Sequence, residues 1–360
     1  MQKAITRGPS FAGRPAGLRP GWLAAGVLAV LVALVAGVSL GPVSLPPGSV
    51  AAELLNLLPG VRLDSGLTER EIAIVTELRL PRVVLGLLVG GLLALAGGCY
   101  QGVFRNPLAD PYLLGVAAGA GLAVTAVMAL GAGAGGALTG LPVTVPLAAF
   151  VGSLGAVAMT YVIGAAGGPG RSTAALILAG VAVSAFLSAG QTYLLQRNSD
   201  TIQQVYSWLL GRLATAGWHD VRMVLPYFLL TAVVVLAHRR ELDVLSVGDD
   251  EATGLGLHPQ RSRYLLIAAA SLGTAAAVSA SGLIGFVGII VPHTVRLLAG
   301  ASYRVILPLS LLFGGAFLAL TDVVARTAAA PTEIPIGVVT ALLGGPFFVL
   351  VLRNSRRTLT

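Results

Sequence analysis

The sequence contains a single cysteine in 360 residues, which excludes an intramolecular disulfide. Because Cys99 lies within an apolar run, we expect it to be a small buried hydrophobic residue rather than a reactive thiol. Aromatic residues are also scarce, at 6% of the chain, whereas 47 residues are glycine. This composition predicts helices that pack closely through small residues instead of a core filled by aromatic rings.

Motifs of catalytic chemistry are missing as well. The sequence has no Walker-type phosphate loop, no paired cysteine and histidine set with metal-ligand spacing, and no Gly-x-Ser-x-Gly nucleophile turn. No acid lies in the middle of an apolar run, where proton-coupled carriers usually place one. His293, which follows Pro292, is expected to be a hydrogen-bonded histidine near a helix end. The sequence therefore gives no support to an enzyme of the membrane interior.

Charged residues make up only 11% of the chain and hydrophobic residues 56%, far from the average of soluble domains. In a soluble protein, the net charge of +8 would suggest binding to nucleic acid. Here the arginines lie at the ends of apolar runs, where membrane topology explains them, so we expect no nucleic-acid partner. The composition predicts an all-α polytopic membrane protein that contacts the lipid bilayer.

Ten apolar runs are read as transmembrane helices, because about 20 residues of helix match the ~30 Å hydrocarbon core of a bilayer. The first run is too long for a secretory signal and lacks a clear cleavage site, so we expect it to be retained. A surface helix is expected over 51–58 and an interfacial helix over 198–212, with Tyr206 and Trp208. The predicted spans are 22–40, 83–104, 113–130, 143–163, 173–195, 223–237, 264–281, 283–299, 305–325 and 334–352.

This reading divides the chain into an N-terminal tail over 1–21, a ten-span domain over 22–352 and a C-terminal tail over 353–360. The second and third spans define the stretch around which the chain is organised. Pro107 and Pro111 fit poorly inside a helix, so they predict a tight return between these spans. Pro81 is expected in the first turn of the second span, where its missing N–H would be unpaired anyway.

The distribution of basic residues predicts the orientation. If both termini are cytoplasmic, the inner segments carry 15 of the 23 basic residues, in agreement with the positive-inside rule. The outer segments then carry eight arginines that oppose this bias. Interfacial snorkelling, with the guanidinium reaching water, is one explanation of these. The outer arginines are Arg62, Arg70, Arg79, Arg82, Arg197, Arg212, Arg222 and Arg326.

Two stretches of similar pattern suggest an internal repeat. GRSTAALILAGVAV enters the fifth span and TEIPIGVVTALLGG enters the tenth, and both combine a polar start with a glycine-containing apolar run. The predicted topology places their starts on opposite faces of the membrane. An inverted repeat relating spans 2–5 to spans 7–10 would give this pattern, and chance convergence of glycine-rich spans explains it equally well.

The longest charged stretch, 238–263, is the only substantial cytoplasmic loop in this topology. Ser246 is expected to cap a short helix whose first turn carries Asp249, Asp250 and Glu251, since acids there are favourable to the helix dipole. Gly254 and Gly256 would end or bend that helix. An ordinary solvated acidic loop is the alternative interpretation.

Several motifs together resemble the FecCD family of permeases, which belong to type II ABC importers of iron–siderophore complexes, haem and vitamin B12. The motifs follow the family's order across nearly the whole chain. The resemblance implies a homodimer, two cytoplasmic ATPase subunits that bind ATP and Mg, and an extracytoplasmic substrate-binding protein, all in a bacterial inner membrane. The matching stretches are LRLPR (78–82), QGVFRNPLADPYLLGVAAGA (101–120), LILAGVAVSA (176–185), SGLIGFVGIIVPHTVRLL (281–298) and TEIPIGVVTALLGGPFF (332–348).

The same resemblance implies roles for individual residues, while no cofactor is expected in this chain. For the gate the alternative is two plain helix turns, and for the whole chain it is a stand-alone secondary carrier. Iron–siderophore is the first expectation for the substrate, followed by vitamin B12 and haem. The implied sites are binding-protein docking by Arg79, Arg82 and Arg326, ATPase coupling by Asp249, Asp250, Glu251, Gly254 and Gly256, and a cytoplasmic gate at Asn106, Leu108, Ser172 and Thr173.

Overall fold

A computed structural model describes residues 18–41, 43–133, 144–165, 173–211 and 213–357. Over these ranges the chain is helical and contains no β-strand, as the composition predicts. A π-helical segment, Ile74–Arg79, joins α3 to α4, and a 3₁₀ turn, Ser199–Thr201, precedes α8. The helices are α1 Pro20–Ser39, α2 Pro47–Asn56, α3 Glu69–Ala73, α4 Leu80–Val103, α5 Val116–Gly133, α6 Thr144–Ala165, α7 Thr173–Arg197, α8 Ile202–Leu209, α9 Trp218–Ala237, α10 Arg239–Leu245, α11 Asp249–Gly254, α12 Pro259–Ser281, α13 Val287–Ala299, α14 Tyr303–Thr327 and α15 Ile336–Arg357.

Within the described ranges, seven helices are long and apolar enough to cross a membrane. Three further apolar helices are shorter, Val116–Ala129, Val287–Ala299 and Ile336–Val351. Together these ten helices lie where the ten spans are predicted, but the count of ten complete spans stays a prediction. Large apolar side chains such as Leu178 and Phe186 are exposed on the outside of the bundle, as expected for contact with lipid.

Helix α4 lies at the centre of the bundle and packs against α1, α9, α12, α13 and α14. Glycines allow these contacts, since the backbone of Gly90 lies against that of Gly314 and the backbone of Gly97 against that of Gly288. Cys99 on the same helix is fully buried, so its predicted role as a small hydrophobic residue is confirmed.

The start of the second span differs from the prediction. Helix α4 itself begins at Leu80 with Pro81 in its first turn, as predicted, but the helical run starts earlier, at Glu69, where Thr68 and Glu71 form a capping box. The run then passes through the π-helical segment, in which Leu80 N–H donates to Val75 O. A proline inside a helix leaves one carbonyl without its usual donor, and the wider π turn just before Pro81 accommodates that break.

The eighth predicted span is also shorter as a helix than expected. It begins at Val287 instead of residue 283, and 13 residues of helix extend only about 20 Å. The preceding residues are non-helical, and Phe286 has a left-handed backbone conformation with φ of 68°. Tyr112 binds this stretch, because its hydroxyl accepts from Ile284 N–H and donates to Ile284 O, both at 3.0 Å.

The remaining elements agree with the expectations in outline. The surface helix is α2, Pro47–Asn56, and the interfacial helix is α8 with Tyr206 exposed. Helix α15 continues to Arg357, so most of the expected C-terminal tail is helical. Helices α5, α6 and α7 pack on one another, and α14 and α13 each pack on α15. This grouping is compatible with the inverted repeat, which stays a prediction.

We predict that Gly97→Ala lowers the stability of the detergent-solubilised protein, by roughly 1–3 kcal/mol, because overpacked cores cost that much. The added Cβ would overlap the backbone of Gly288, which cannot move like the end of a side chain. Gly155→Ala in α6 is the matched control, since no atom lies within 4 Å of its added Cβ. Thermal unfolding midpoints should fall for Gly97→Ala only. Equal midpoints would contradict the glycine packing.

Candidate functional site

Two clusters of charged side chains lie at opposite ends of α4. The first, the Arg82 cluster, consists of Arg79, Arg82, Asp322, Arg326 and Glu333. The second, the Asp249 cluster, consists of Arg105, Asp249 and Arg263. These clusters contain all three arginines predicted for docking and one of the acids predicted for coupling.

Arg82 is the centre of its cluster. Its Nε and Nη2 donate to the two carboxylate oxygens of Asp322, each at 2.9 Å. Its Nη1 and Nη2 donate to the two oxygens of Glu333, again at 2.9 Å. One guanidinium therefore binds two carboxylates through four hydrogen bonds, and such charge-assisted bidentate pairs are the stronger class of hydrogen bond.

Arg79 and Arg326 bind the C-terminal end of α1 instead of facing water. Arg79 Nη1 donates to Val38 O at 2.8 Å and to Ser39 O at 3.1 Å. Arg326 Nη2 donates to Gly37 O, and its Nε lies 3.7 Å from Asp322 Oδ2. The last carbonyls of a helix lack intrahelical donors and carry partial negative charge, so both arginines stabilise this helix end.

This geometry corrects part of the sequence-based picture. Residues three apart, such as Arg79 and Arg82, would share one face of a regular helix, yet these two contact different neighbours, α1 in one case and α14 in the other. Snorkelling also fails for Arg79 and Arg326, because their exposed fractions are only 7% and 3%. The docking role of the three arginines stays a prediction. Arg82 lines a cavity of about 170 Å³.

Asp322 and Glu333 are partners that the sequence interpretation missed. The spacing of Asp322 and Arg326 offered one signal, since residues four apart lie on the same helix face. Glu333 offered none, because it lies between α14 and α15 and is distant from Arg82 in sequence. The hydrogen bonds from Arg82 lower the pKa of the Glu333 carboxyl below its usual value of 4.5, so it is ionised at neutral pH.

Two cavities open beside the Arg82 cluster. The smaller, of about 170 Å³, is lined by Arg82, Asp322 and Glu333 together with Ser207 of α8 and Pro335. The larger, of about 670 Å³, also touches Ser207 and lies between the ends of α5, α6, α8 and α12. This end of the bundle thus presents polar, accessible recesses rather than a flat surface.

The Asp249 cluster attaches a short exposed segment to the helix bundle. Arg263 of α12 donates to both oxygens of Asp249, at 2.7 and 2.6 Å, and Arg105 after α4 also binds Asp249. Arg105 Nε donates to Leu245 O at 2.7 Å as well. Hydrogen bonds from Arg263 are the main reason why the pKa of the Asp249 carboxyl lies below its usual value of 3.8.

The helix α11 confirms one part of the predicted coupling segment and corrects another. It ends at Gly254, and Gly256 follows with a left-handed φ of 81°, as the two glycines predicted. The prediction that Ser246 caps α11 is wrong, because Gly248 occupies the N-cap position. The Ser246 hydroxyl donates to Asp243 O and binds no N–H of α11. Ser246 lies too early in the chain, since the helix begins one residue after Gly248.

The outward face of this segment is charged and apolar at once. Asp250 and Glu251 are exposed, whereas Asp249 points back to the two arginines. Two large apolar side chains, Val247 and Leu255, are 67% and 70% exposed beside them.

The predicted gate residues belong to two segments of the chain. Asn106 and Leu108 lie in the return between α4 and α5, whereas Ser172 and Thr173 are next to each other in the sequence, at the point where α7 begins. Asn106 Oδ1 accepts from Leu108 N–H at 3.0 Å, which closes an Asx turn before the buried Ala109. Thr173 is the first residue of α7, and Ser172 lies outside the described residues. Helix α7 approaches the return closely, with Gly180 against Leu113.

His293 differs from its expectation. Its ring packs edge-on against Phe347, at 5.9 Å between ring centroids, and its buried Nδ1 has no hydrogen-bond partner. The histidine therefore acts here as a packed ring between α13 and α15.

We predict that Asp249→Ala raises hydrogen exchange across α11 and weakens its attachment, because Arg263 would lose its carboxylate partner. Asp250→Ala is the control, since Asp250 is exposed and should leave α11 unchanged. In the unmutated protein the attachment should be complete above pH 3.8, the unfolded-state value, and lost as the pH falls through the lower folded-state pKa. Equal exchange in both variants would contradict this role of Asp249.

Known proteins resemble this chain over most of its length. The model of the FecCD transport family matches residues 28–354. A cobalamin import system permease protein of Halobacterium salinarum is 43% identical over 307 residues, 85% of this chain and 80% of that protein. A hemin transport system permease protein of Yersinia pestis is 37% identical and covers 78% of this chain and 83% of its own length.

Solved structures agree with the sequence comparison. A metal-chelate type ABC transporter in an inward-facing conformation superposes with a TM-score of 0.80 at 29% identity, covering 93% of this chain and 100% of that one. The family match over residues 28–354 includes the segments that carry both charge clusters, and the comparisons favour the importer permease over the stand-alone secondary carrier. The chain therefore belongs to the FecCD transport family, as a multi-pass permease subunit of an ABC importer.

Proposed function

We propose that two copies of this chain form the translocation pathway of an importer for a large metal chelate. The match of the FecCD transport family to residues 28–354 carries this proposal, because it includes the helix bundle and both charged ends. ATP and Mg would be bound by partner ATPase subunits, and the chain itself would hold no cofactor.

The orientation we propose places the Arg82 cluster outside and the Asp249 cluster inside the cell. In this orientation 15 of the 23 basic residues lie in cytoplasmic segments. Both termini are then cytoplasmic, and the chain itself spans the inner membrane of the cell. The exposed α11 surface faces the compartment that contains ATP, and the two cavities beside Arg82 face the compartment from which substrate arrives.

Energy would enter through the segment 238–263. Asp250 and Glu251 are free to contact an ATPase subunit, and Val247 and Leu255 give the contact an apolar part. Gly254 and Gly256 end the helix so that this surface stays short and prominent. Asp249 would act indirectly, since it holds the segment on Arg105 and Arg263.

At the outer end, Arg82 is the proposed docking residue for an acidic side chain of the substrate-binding protein. Arg79 and Arg326 would position the cluster by their bonds to the end of α1. At the inner end, Asn106 and Leu108, with Ser172 and Thr173 of the second segment, are proposed to close the pathway. Cross-linking between copies through Leu108→Cys should differ between nucleotide states if they do.

The substrate we propose is a large metal chelate, with an iron–siderophore complex as the first expectation. The relatives named above carry cobalamin and hemin in their names, so both belong in any test. A pathway for such cargo would be lined by apolar and small residues, and selectivity would reside in the binding protein. Purified binding protein titrated with an iron–siderophore, cyanocobalamin and haem identifies the class.

The function is tested by uptake into proteoliposomes. The chain, its ATPase subunits and the binding protein should together accumulate the chelate in the presence of Mg-ATP, and omission of any one component should abolish accumulation. Uptake by the chain alone, driven by an ion gradient, would contradict the proposal and support a secondary carrier.

We predict that Asp250→Lys combined with Glu251→Lys lowers uptake at least tenfold, because it reverses the charge of the surface offered to the ATPase. The helix should stay in place, since the anchoring Asp249 is unchanged. Uptake and substrate-stimulated ATP turnover are both measured, and both should fall in the double variant. Normal turnover in the double variant would remove these residues from the coupling surface.

A further inference from the structure

The two carboxylates on Arg82 are unequal partners. Asp322 lies on α14, and its side chain is 3% exposed. Glu333 lies in the non-helical stretch between α14 and α15, and its side chain is 38% exposed. An ion pair with an exposed partner is weak because water and salt compete for it. Glu333 is therefore the partner that another carboxylate can replace.

The small cavity gives such a carboxylate access. It is lined by Arg82, Asp322 and Glu333, and its volume of about 170 Å³ is sufficient for the end of one side chain. Arginine has five N–H donors, and four hydrogen bonds from Arg82 are made here, two of them to Glu333. Replacement of Glu333 would leave the bonds to Asp322 intact.

The net charge of the Arg82 cluster favours an acidic side chain as the group that replaces Glu333. Three arginines face two carboxylates, so the Arg82 cluster carries one surplus positive charge. Arg326 adds a buried Nε that has no hydrogen-bond partner. A basic side chain would be repelled and a neutral amide offers one uncharged acceptor oxygen, whereas a carboxylate can take over both of the charge-assisted bonds that Glu333 now accepts.

Glu333 is also connected to the start of α15, which begins three residues later. Two backbone bonds hold this stretch, Ile334 N–H to Ala325 O at 2.8 Å and Gly337 N–H to Leu210 O at 3.0 Å. The bonds from Arg82 to Glu333 fasten it by a side chain. Loss of those bonds would free residues 328–333 while the backbone bonds keep α15 attached.

We propose that Glu333 is an internal competitor for docking: it occupies Arg82 until an acidic side chain of the binding protein replaces it, and this exchange releases the stretch before α15. The proposal rests on the docking role given to Arg82 under the proposed function. It assigns Glu333 as a positioning residue that sets both docking affinity and the freedom of this stretch.

The first test measures binding of the cognate binding protein to the complete importer in nanodiscs. Glu333→Gln should tighten docking by about two- to fivefold, the range available from one partly exposed ion pair. Glu77→Gln is the matched control, because it removes an exposed acid from the same end of the bundle outside the cluster. A merely structural Glu333 would leave docking unchanged or weaken it.

The second test follows the mobility of the stretch before α15. A spin label on Thr332→Cys reports the stretch directly, since Thr332 is exposed and Cys99 is buried. The label should be immobile in the free importer, become mobile when the binding protein docks, and be mobile without partner when Glu333→Gln is added. A label that stays immobile on docking would overturn the exchange.

The outcomes distinguish a failure of the proposed function from a failure of the Glu333 exchange. If the binding protein does not dock to the unmutated importer, the proposed function fails and the exchange fails with it. If docking occurs, but Glu333→Gln does not tighten it and the label does not respond, only the exchange is overturned. Tighter docking by Glu77→Gln to the same extent would also overturn it, since bulk charge would then explain the effect.

Discussion

The close contact of α4 with its neighbours is the constraint on which the bundle depends. Lipid tails are as apolar as leucine, so burial of apolar surface does not by itself hold two membrane helices together. Backbone contact through Gly90, Gly97, Gly288 and Gly314 brings many atoms within dispersion distance and leaves no room for a side chain. Because α4 is surrounded in this way, its two ends are fixed relative to α12, α13 and α14. Both charge clusters form at those ends.

Buried polar groups set a second constraint. Non-helical backbone is tolerated at membrane depth only where protein groups satisfy it. The stretch before α13 meets this requirement through Tyr112, whose hydroxyl serves both the N–H and the carbonyl of Ile284. The buried last carbonyls of α1, which have no intrahelical donor, are satisfied by Arg79 and Arg326. Arginines that sequence reasoning assigned to a surface thus complete the fold, in addition to any role they have toward a partner.

Much of the fold could be predicted because it depends on local patterns. Apolar runs located the helices, and two glycines located the end of α11. The misplaced boundaries share another cause: the π turn before Pro81 and the late start at Val287 depend on contacts with distant residues. The candidate site divides in the same way. Spacing placed Arg82 and Asp249 at helix ends, but Glu333 meets Arg82 only through the packing of α4 and α14.

The Arg82 cluster and the Asp249 cluster use the same kind of interaction, a partly exposed ion pair, at opposite ends of α4. Each binds the exposed part of a short segment, around Asp249 in one case and Glu333 in the other, to a helix end by charge, while apolar side chains such as Leu245 and Ile334 pack the adjoining residues against the core. Apolar contacts in a close-packed core lose energy with any displacement, because cavities form. Partly exposed ion pairs exchange partners at small cost, because water and other charges replace what is lost. Segments attached in this way can change position while the glycine-packed core around α4 keeps one structure.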